Sequence, residues 1–296
     1  MNRETSPNRE IRLGIIGLGL IGGSLGLALR PARGWEVVGY DERDAVRQRA
    51  VEMGVCDAVF DSPEGLARNS DAVLIAVPSG RIVETALLAA RHMRRGTVLT
   101  DVGSVKLPLQ TGIAEGLPPG VRYVGGHPMA GSERSGLAAA RPDLFKGAVW
   151  ALTVRHATVE AVETVKAMVR TAGAEPLVVD ALDHDRSVAF VSHLPYIVAV
   201  ALASCVEGAD GDLPLVRHLV AGGFKDGTRV ANSDPVVAMD YCRLNARHLL
   251  AAVNEFEGHL EQLKAALREC DDRGLVSKAE RAREYLAMLG GGGVRD

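Results

Sequence analysis

A chain of 296 residues, 47% apolar and 24% charged, is long enough for two domains and has the composition of a soluble globular protein. Its net charge of −3 leaves no electrostatic footprint for nucleic acid, so an anionic ligand must be met by local arginines or lysines. Four cysteines, Cys56, Cys205, Cys242 and Cys270, lie far apart with no CxxC pair, which argues against a disulfide framework and against a metal site and fits a reducing cytoplasm.

Residues 1–10 are polar and read as a disordered end. The apolar run 11–17 reads as a strand and leads through Gly17-Leu18-Gly19-Leu20-Ile21-Gly22 into a helical pattern over 20–30. Glycines in that strand-to-helix turn point to a dinucleotide site. Gly17 permits the tight turn, Gly19 lets backbone approach a pyrophosphate, and Gly22 lets the helix pack close to the strand, its first amides facing the phosphates. The run Leu13–Leu29 resembles a signal peptide or membrane span in hydropathy, but it carries six glycines and is too short to span, so no membrane partner is expected. The next strand, 35–40, ends at Asp41, where a carboxylate would bind the adenosine ribose hydroxyls and repel a 2′-phosphate. That favours NAD over NADP, with Arg43 as a counter-signal.

Further strands read at 72–77, 97–101, 121–125, 149–154 and 176–179, separated by helical patterns at 43–54, 80–92, 105–115 and 158–172. The alternation predicts a Rossmann-type, doubly wound, mostly parallel α/β domain over residues 11–180. After Asp180 the strand signals stop, and 181–289 reads as a second, all-helical domain with breaks near 208–214, 222–227 and 271–274. Its longest helix is expected from Ser233-Asp234-Pro235 to about Glu269. The last should open on the capping-box pattern Ser277-Lys278-Ala279-Glu280 and end before the flexible Gly290–Gly293. Within the long helix, Met239, Cys242, Ala246, Leu249, Val253, Phe256, Leu260, Leu263 and Leu267 form a stripe that must be covered, by the chain itself or, as we expect for so long a stripe, by a second copy in a homodimer.

Ligands of an open parallel sheet bind beyond the carboxyl ends of its strands. Val77-Pro78-Ser79 follows the third expected strand, Asp101-Val102-Gly103-Ser104-Val105-Lys106 the fourth, and Gly125-Gly126-His127-Pro128 the fifth. Val77, Pro78 and Gly103 thereby join the cofactor edge, and Ser104 and His127 fall where the nicotinamide would lie. A neutral imidazole there can take a hydroxyl proton as hydride leaves the same carbon. Flanking glycines and proline make His127 a loop residue rather than a core one. Ser104 either orients that imidazole or a substrate oxygen, or caps the helix beginning at Val105. In the helical part, His193 of Ser192-His193-Leu194-Pro195-Tyr196 is either a satisfied core histidine or a pocket residue, and Arg229 offers a planar fork suited to a carboxylate.

Taken together, GLGLIGGSLGLAL, DVGSVK, GGHPMAGSERSG, SHLPY and GGFKDGTRVANSDP resemble the prephenate dehydrogenase family, with its arogenate and cyclohexadienyl members, over about residues 11–270. The resemblance implies a Rossmann-type domain joined to a helical dimerisation domain. It also implies NAD-dependent oxidative decarboxylation of prephenate to 4-hydroxyphenylpyruvate on the route to tyrosine. Carried over by motif, His127 deprotonates the ring hydroxyl, Ser104 hydrogen-bonds that histidine or the hydroxyl, and Arg229 binds the ring carboxylate. His193 lines the same pocket, and Glu133 faces the substrate side chain. Tyr196 stands where some members have a second histidine; it is not cationic at neutral pH, so arogenate remains open as substrate. A β-hydroxyacid dehydrogenase would be expected to use a lysine base instead. A dinucleotide-sensing dimer would bind NAD without turnover.

Overall fold

The computed structural model describes residues 10–291 apart from Glu133, His156 and Pro214. The polar end at 1–9 and the candidate Glu133 therefore lie outside the described residues. Eight strands, β1 (Ile11–Ile16), β2 (Trp35–Tyr40), β3 (Ala58–Val59), β4 (Ala72–Ile75), β5 (Val98–Asp101), β6 (Arg122–Pro128), β7 (Val149–Thr153) and β8 (Glu175–Val178), form one sheet in the order β3-β2-β1-β4-β5-β6-β7-β8. Every pairing is parallel except β6 with β7. The central strands are apolar on both faces because helices cover both. On one side α1 (Leu20–Leu29) and α6 (Val159–Thr171) close over Leu13, Ile15, Leu74 and Trp150; on the other α3 (Pro63–Asn69), α4 (Ile82–Ala90) and α5 (Leu107–Gly116) close over Ile16, Val73, Ile75 and Leu99. Each such fully buried side chain contributes roughly 1.5–3 kcal/mol.

The chain runs outward from β1 through β2, α2 (Asp44–Glu52) and β3, then returns to β4 on the other side of β1. That reversal places the glycine turn at the topological switch point, where an open α/β sheet has its crevice. The sequence reading lacked β3 and α3. A two-residue edge strand shows no alternation, and seven helical residues span barely two turns, so neither leaves a periodic signal.

Beyond the sheet come α7 (Ala181–Val188), a turn of π-helix at Ala189–His193, α8 (Leu194–Ala209), α9 (Gly222–Thr228), α10 (Pro235–Leu244), α11 (Ala246–Arg268) and α12 (Asp272–Gly291). The stretch 181–209 is apolar and long enough to cross a membrane by composition; its His184, Asp185 and His193 are buried and hydrogen-bonded, while Phe190, Val191, Val200 and Leu202 are exposed. The long expected helix is two helices. Asn245 leaves helical geometry between α10 and α11, and its buried side chain donates to Asp185 O at 2.8 Å and to His193 Nδ1 at 3.2 Å, a tertiary tie invisible to periodicity. The start of α10 is as expected, with Asp234 accepting from Val236 N. The segment 222–227 is helical rather than a break. The last helix begins one turn before the capping box: Cys270 adopts φ +55°, Asp271 Oδ1 accepts from Gly274 N, and the helix runs on to Gly291.

Compact units divide at residue 246, so α7–α10 group with the sheet, and 247–296 forms a second unit. In that unit Lys278 of α12 donates to Gln262 of α11, and Phe256, Leu260, Leu263 and Leu267 are exposed. The distal half of the apolar stripe is thus exposed among the described residues.

Candidate active site

Two cavities open at the carboxyl ends of the strands. The first, about 320 Å³, is lined by Gly17, Gly19, Asp41, Val77 and Pro78 among others. Gly17 has φ +98°, and a Cβ at Gly22 would sit 2.0 Å from Gly17 O, so both positions require glycine. At Gly19 a Cβ would meet nothing within 4 Å, leaving open space over the N-terminus of α1. No side chain caps that helix, and the free amides of its first turn fit a pyrophosphate. Asp41 is buried; its carboxylate accepts from Leu18 N at 3.1 Å and from Arg43 N at 3.1 Å, locking the turn to the end of β2. Leu18 points into the core, and Leu20 and Ile21 pack beside it, so these three contribute backbone alone. Gly103 is buried against Leu109 and Ile82 and is not among the residues lining either cavity.

The second cavity, about 370 Å³, is lined by Ser104, His127, Ser132, Ser192, Arg229 and Ser233 among others. An imidazole from the sheet and a guanidinium from the helical segment open onto one space. Arg229 heads a short 3-10 turn, is exposed, and has no ion-pair partner among the described residues. His127 lies within β6, not in a loop. Antiparallel pairing with β7 carries the strand to Pro128, and His127 stands opposite Ala151. The glycines before it serve close approach: a Cβ at Gly126 would lie 2.5 Å from Asp101 O.

Ser104 lines the cavity but neither caps α5 nor bonds His127. Both tasks fall to residues the sequence reading passed over. His127 Nδ1 lies 2.8 Å from His184 Nε2, and His184 Nδ1 lies 2.7 Å from Asp185 Oδ1. Asp185 also accepts from Lys106 N at 2.7 Å and from Leu107 N at 2.9 Å, capping α5 from another element. The available signal was Ala181, His184, Asp185 and Val188 at i, i+3, i+4 and i+7: a polar pair on the buried stripe of a short helix.

Beneath His127, Lys106 is wholly buried, its Nζ donating to Asp101 Oδ1 and to Gly126 O, each at 2.5 Å. Tyr123 completes the cluster by donating to Asp101 Oδ2 at 2.6 Å. Burial pushes the lysine below its ordinary range, opposed by Asp101. Burial, reinforced by His184, Lys106 and His193, holds His127 well below an ordinary histidine, so it is the neutral, proton-accepting form at neutral pH.

His193 and Tyr196 do not line the cavity. His193 is fully buried, stacked on Tyr241 with ring centroids 4.6 Å apart, and burial pushes it down to about 4. Tyr196 packs edge-on to the same Tyr241 at 6.1 Å. Asn245 serves Nδ1 of that buried histidine, while its Nε2 is buried with no hydrogen-bond partner among the described residues, so it is a core histidine only half satisfied. Among the described residues no cluster of His, Cys, Asp or Glu suits a metal, and all four cysteines are free.

Two family profiles match the chain, "Prephenate dehydrogenase, nucleotide-binding domain" over residues 25–178 and "Prephenate dehydrogenase, dimerization domain" over 180–280. A Bacillus subtilis prephenate dehydrogenase is 33% identical over 274 residues, 92% of this chain and 74% of that one. A Zymomonas mobilis cyclohexadienyl dehydrogenase is 32% identical, with 94% and 95% covered. The solved prephenate dehydrogenase of A. aeolicus, in complex with hydroxyphenyl propionate and NAD+, superposes with a TM-score of 0.87 at 28% identity, covering 96% of this chain and all of that one.

Proposed function

The chain belongs to the prephenate dehydrogenase family, and from that premise we infer the division of labour within its two cavities. It catalyses NAD-dependent oxidative decarboxylation of prephenate, a step of aromatic amino acid biosynthesis, giving 4-hydroxyphenylpyruvate for tyrosine. The observation that carries the assignment of roles is that His127 and Arg229 face one cavity beside the cofactor cleft. NAD, when bound, accepts the hydride from the ring carbon.

His127 is the base: its neutral imidazole takes the hydroxyl proton, while Ser104, on the same wall, hydrogen-bonds the ring oxygen. Arg229 holds the ring carboxylate. It must orient that group without stabilising it more in the ground state than in the transition state, or loss of carbon dioxide slows. Holding hydroxyl and carboxylate at opposite ends of one small cavity is chiefly orientation.

Preference for NAD over NADP is supported by Asp41 and Glu42 at the mouth of the cleft. The arginines that would serve a 2′-phosphate are engaged, Arg43 with Asp41 and Arg81 with Glu42. A homodimer is supported by the exposed apolar residues of α11 and α12, including Leu263, Leu267, Leu286 and Leu289. Four free cysteines support a cytoplasmic location. Dual specificity is the second reading, favoured by the cyclohexadienyl relative, which matches over nearly its whole length. Turnover measured on prephenate and arogenate, each with NAD and NADP, tests the assignment. Prephenate with NAD is expected to give the highest kcat/KM, and a higher value for arogenate or NADP would reverse the corresponding preference.

A further inference from the structure

Prephenate oxidation borrows a proton rather than releasing one. The hydroxyl O–H bond breaks as the ring C–H pair departs as hydride to NAD, which is reduced to NADH. Carbon dioxide then leaves, the freed C–C pair restores aromaticity, and the electrons displaced from the ring carbonyl settle on its oxygen, which must regain a proton to become the phenol. A proton held in the site and handed back serves this cycle better than one lost to water.

We propose that His127, His184 and Asp185 form a buried relay that takes the hydroxyl proton, holds it as an imidazolium on His184 against Asp185, and returns it to the ring oxygen. This rests on the reading of His127 as base. The direction of the chain follows from donor chemistry. Asp185 accepts from two backbone amides and from His184 Nδ1, so it is an ionised carboxylate and that nitrogen carries its proton. Neutral His184 then presents a bare Nε2, which at 2.8 Å accepts from His127 Nδ1–H. The remaining nitrogen of His127, Nε2, is left without a proton on the ring that lines the cavity. When Nε2 takes the hydroxyl proton, Nδ1 passes its own to His184 Nε2, and the positive charge comes to rest beside the Asp185 carboxylate.

Placement argues for charge transfer over simple orientation. His127 is buried beside Lys106 and His193, poor surroundings for a lasting cation, whereas His184 has the carboxylate in contact. His184 is thus a positioning residue that also receives the charge. Its surroundings are dry: it is 6% exposed and Asp185 1%.

His184→Gln keeps an acceptor for His127 Nδ1–H but cannot take a proton. The experiment measures single-turnover NADH formation in mixtures of H2O and D2O, with NAD affinity by equilibrium titration. Wild type is expected to give a curved proton inventory, and His184→Gln a linear one with a rate about a hundredfold lower and NAD affinity within about twofold. An unchanged rate, or a lower rate with the curvature retained, overturns the relay. Should the variant fail to fold, 15N-histidine NMR of the wild-type protein decides: Nδ1–H on both His127 and His184 supports the chain, and Nε2–H on either overturns it. His127→Asn in parallel separates the two claims. Full turnover there defeats the base assignment, whereas an inactive His127→Asn beside a fully active His184→Gln defeats the relay alone.

Discussion

The cofactor cleft and the substrate cavity adjoin at one sheet edge but are built in opposite ways. The cleft is made of backbone: a left-handed Gly17, a Gly22 with no room for a Cβ, and the uncapped first turn of α1. That turn lies within a few consecutive residues, with Asp41 supplied by the neighbouring strand on one side and Val77 and Pro78 by the strand on the other. The cavity is made of side chains gathered from distant segments. His127 comes from β6, its partner His184 from 57 residues later, and Arg229 from beyond α9. Binding a constant dinucleotide needs only amides and a dipole, whereas moving a proton and holding a carboxylate need groups of defined protonation and charge.

If that contrast is right, damage to the cavity should remove chemistry and spare the cofactor. His127→Asn is expected to lower kcat by about 10²–10⁴-fold while the NAD dissociation constant stays unchanged by titration. Loss of NAD binding instead would erase the distinction between the two sites. Gly22→Ala is the converse probe. Its Cβ meets backbone that has no rotamer to yield, so NAD affinity should weaken about tenfold to a hundredfold, for a strain of about 1–3 kcal/mol. Wild-type affinity in that variant would show that the turn is not close-packed. Arg229→Ala sharpens the division within the cavity itself. Losing a charge-assisted contact should raise KM for prephenate about tenfold or more with a smaller change in kcat, and an unaltered KM would remove Arg229 from carboxylate recognition.

Much of the cleft was legible because its signals are local. GLGLIG between a strand and a helix, and an acidic residue at the end of the next strand, specify a conformation that few neighbours can override. His127, Ser104 and Arg229 were legible in type and in rough position, since strand ends mark the crevice. Their company was not. Of the roles open to Ser104 in the sequence, partner of His127 is the one His184 fills, and of the two open to His193, Asn245 and Tyr241 hold it in the core. Lys106 stood in a quoted motif with no role, because a buried lysine is recognisable only once Asp101 and Gly126 O are seen around its ammonium.

Sequence alone determined the doubly wound sheet, the glycine turn, the helical second half and the identities of the groups able to do chemistry, because each depends on residues close together along the chain. Tertiary structure alone decided where the long helix breaks, that His184 stands beside His127, and that Asp185 both caps α5 and anchors the His184 imidazole. Those outcomes are hydrogen-bond choices between segments tens of residues apart, and a donor's partner is fixed by the fold that brings it within 3 Å.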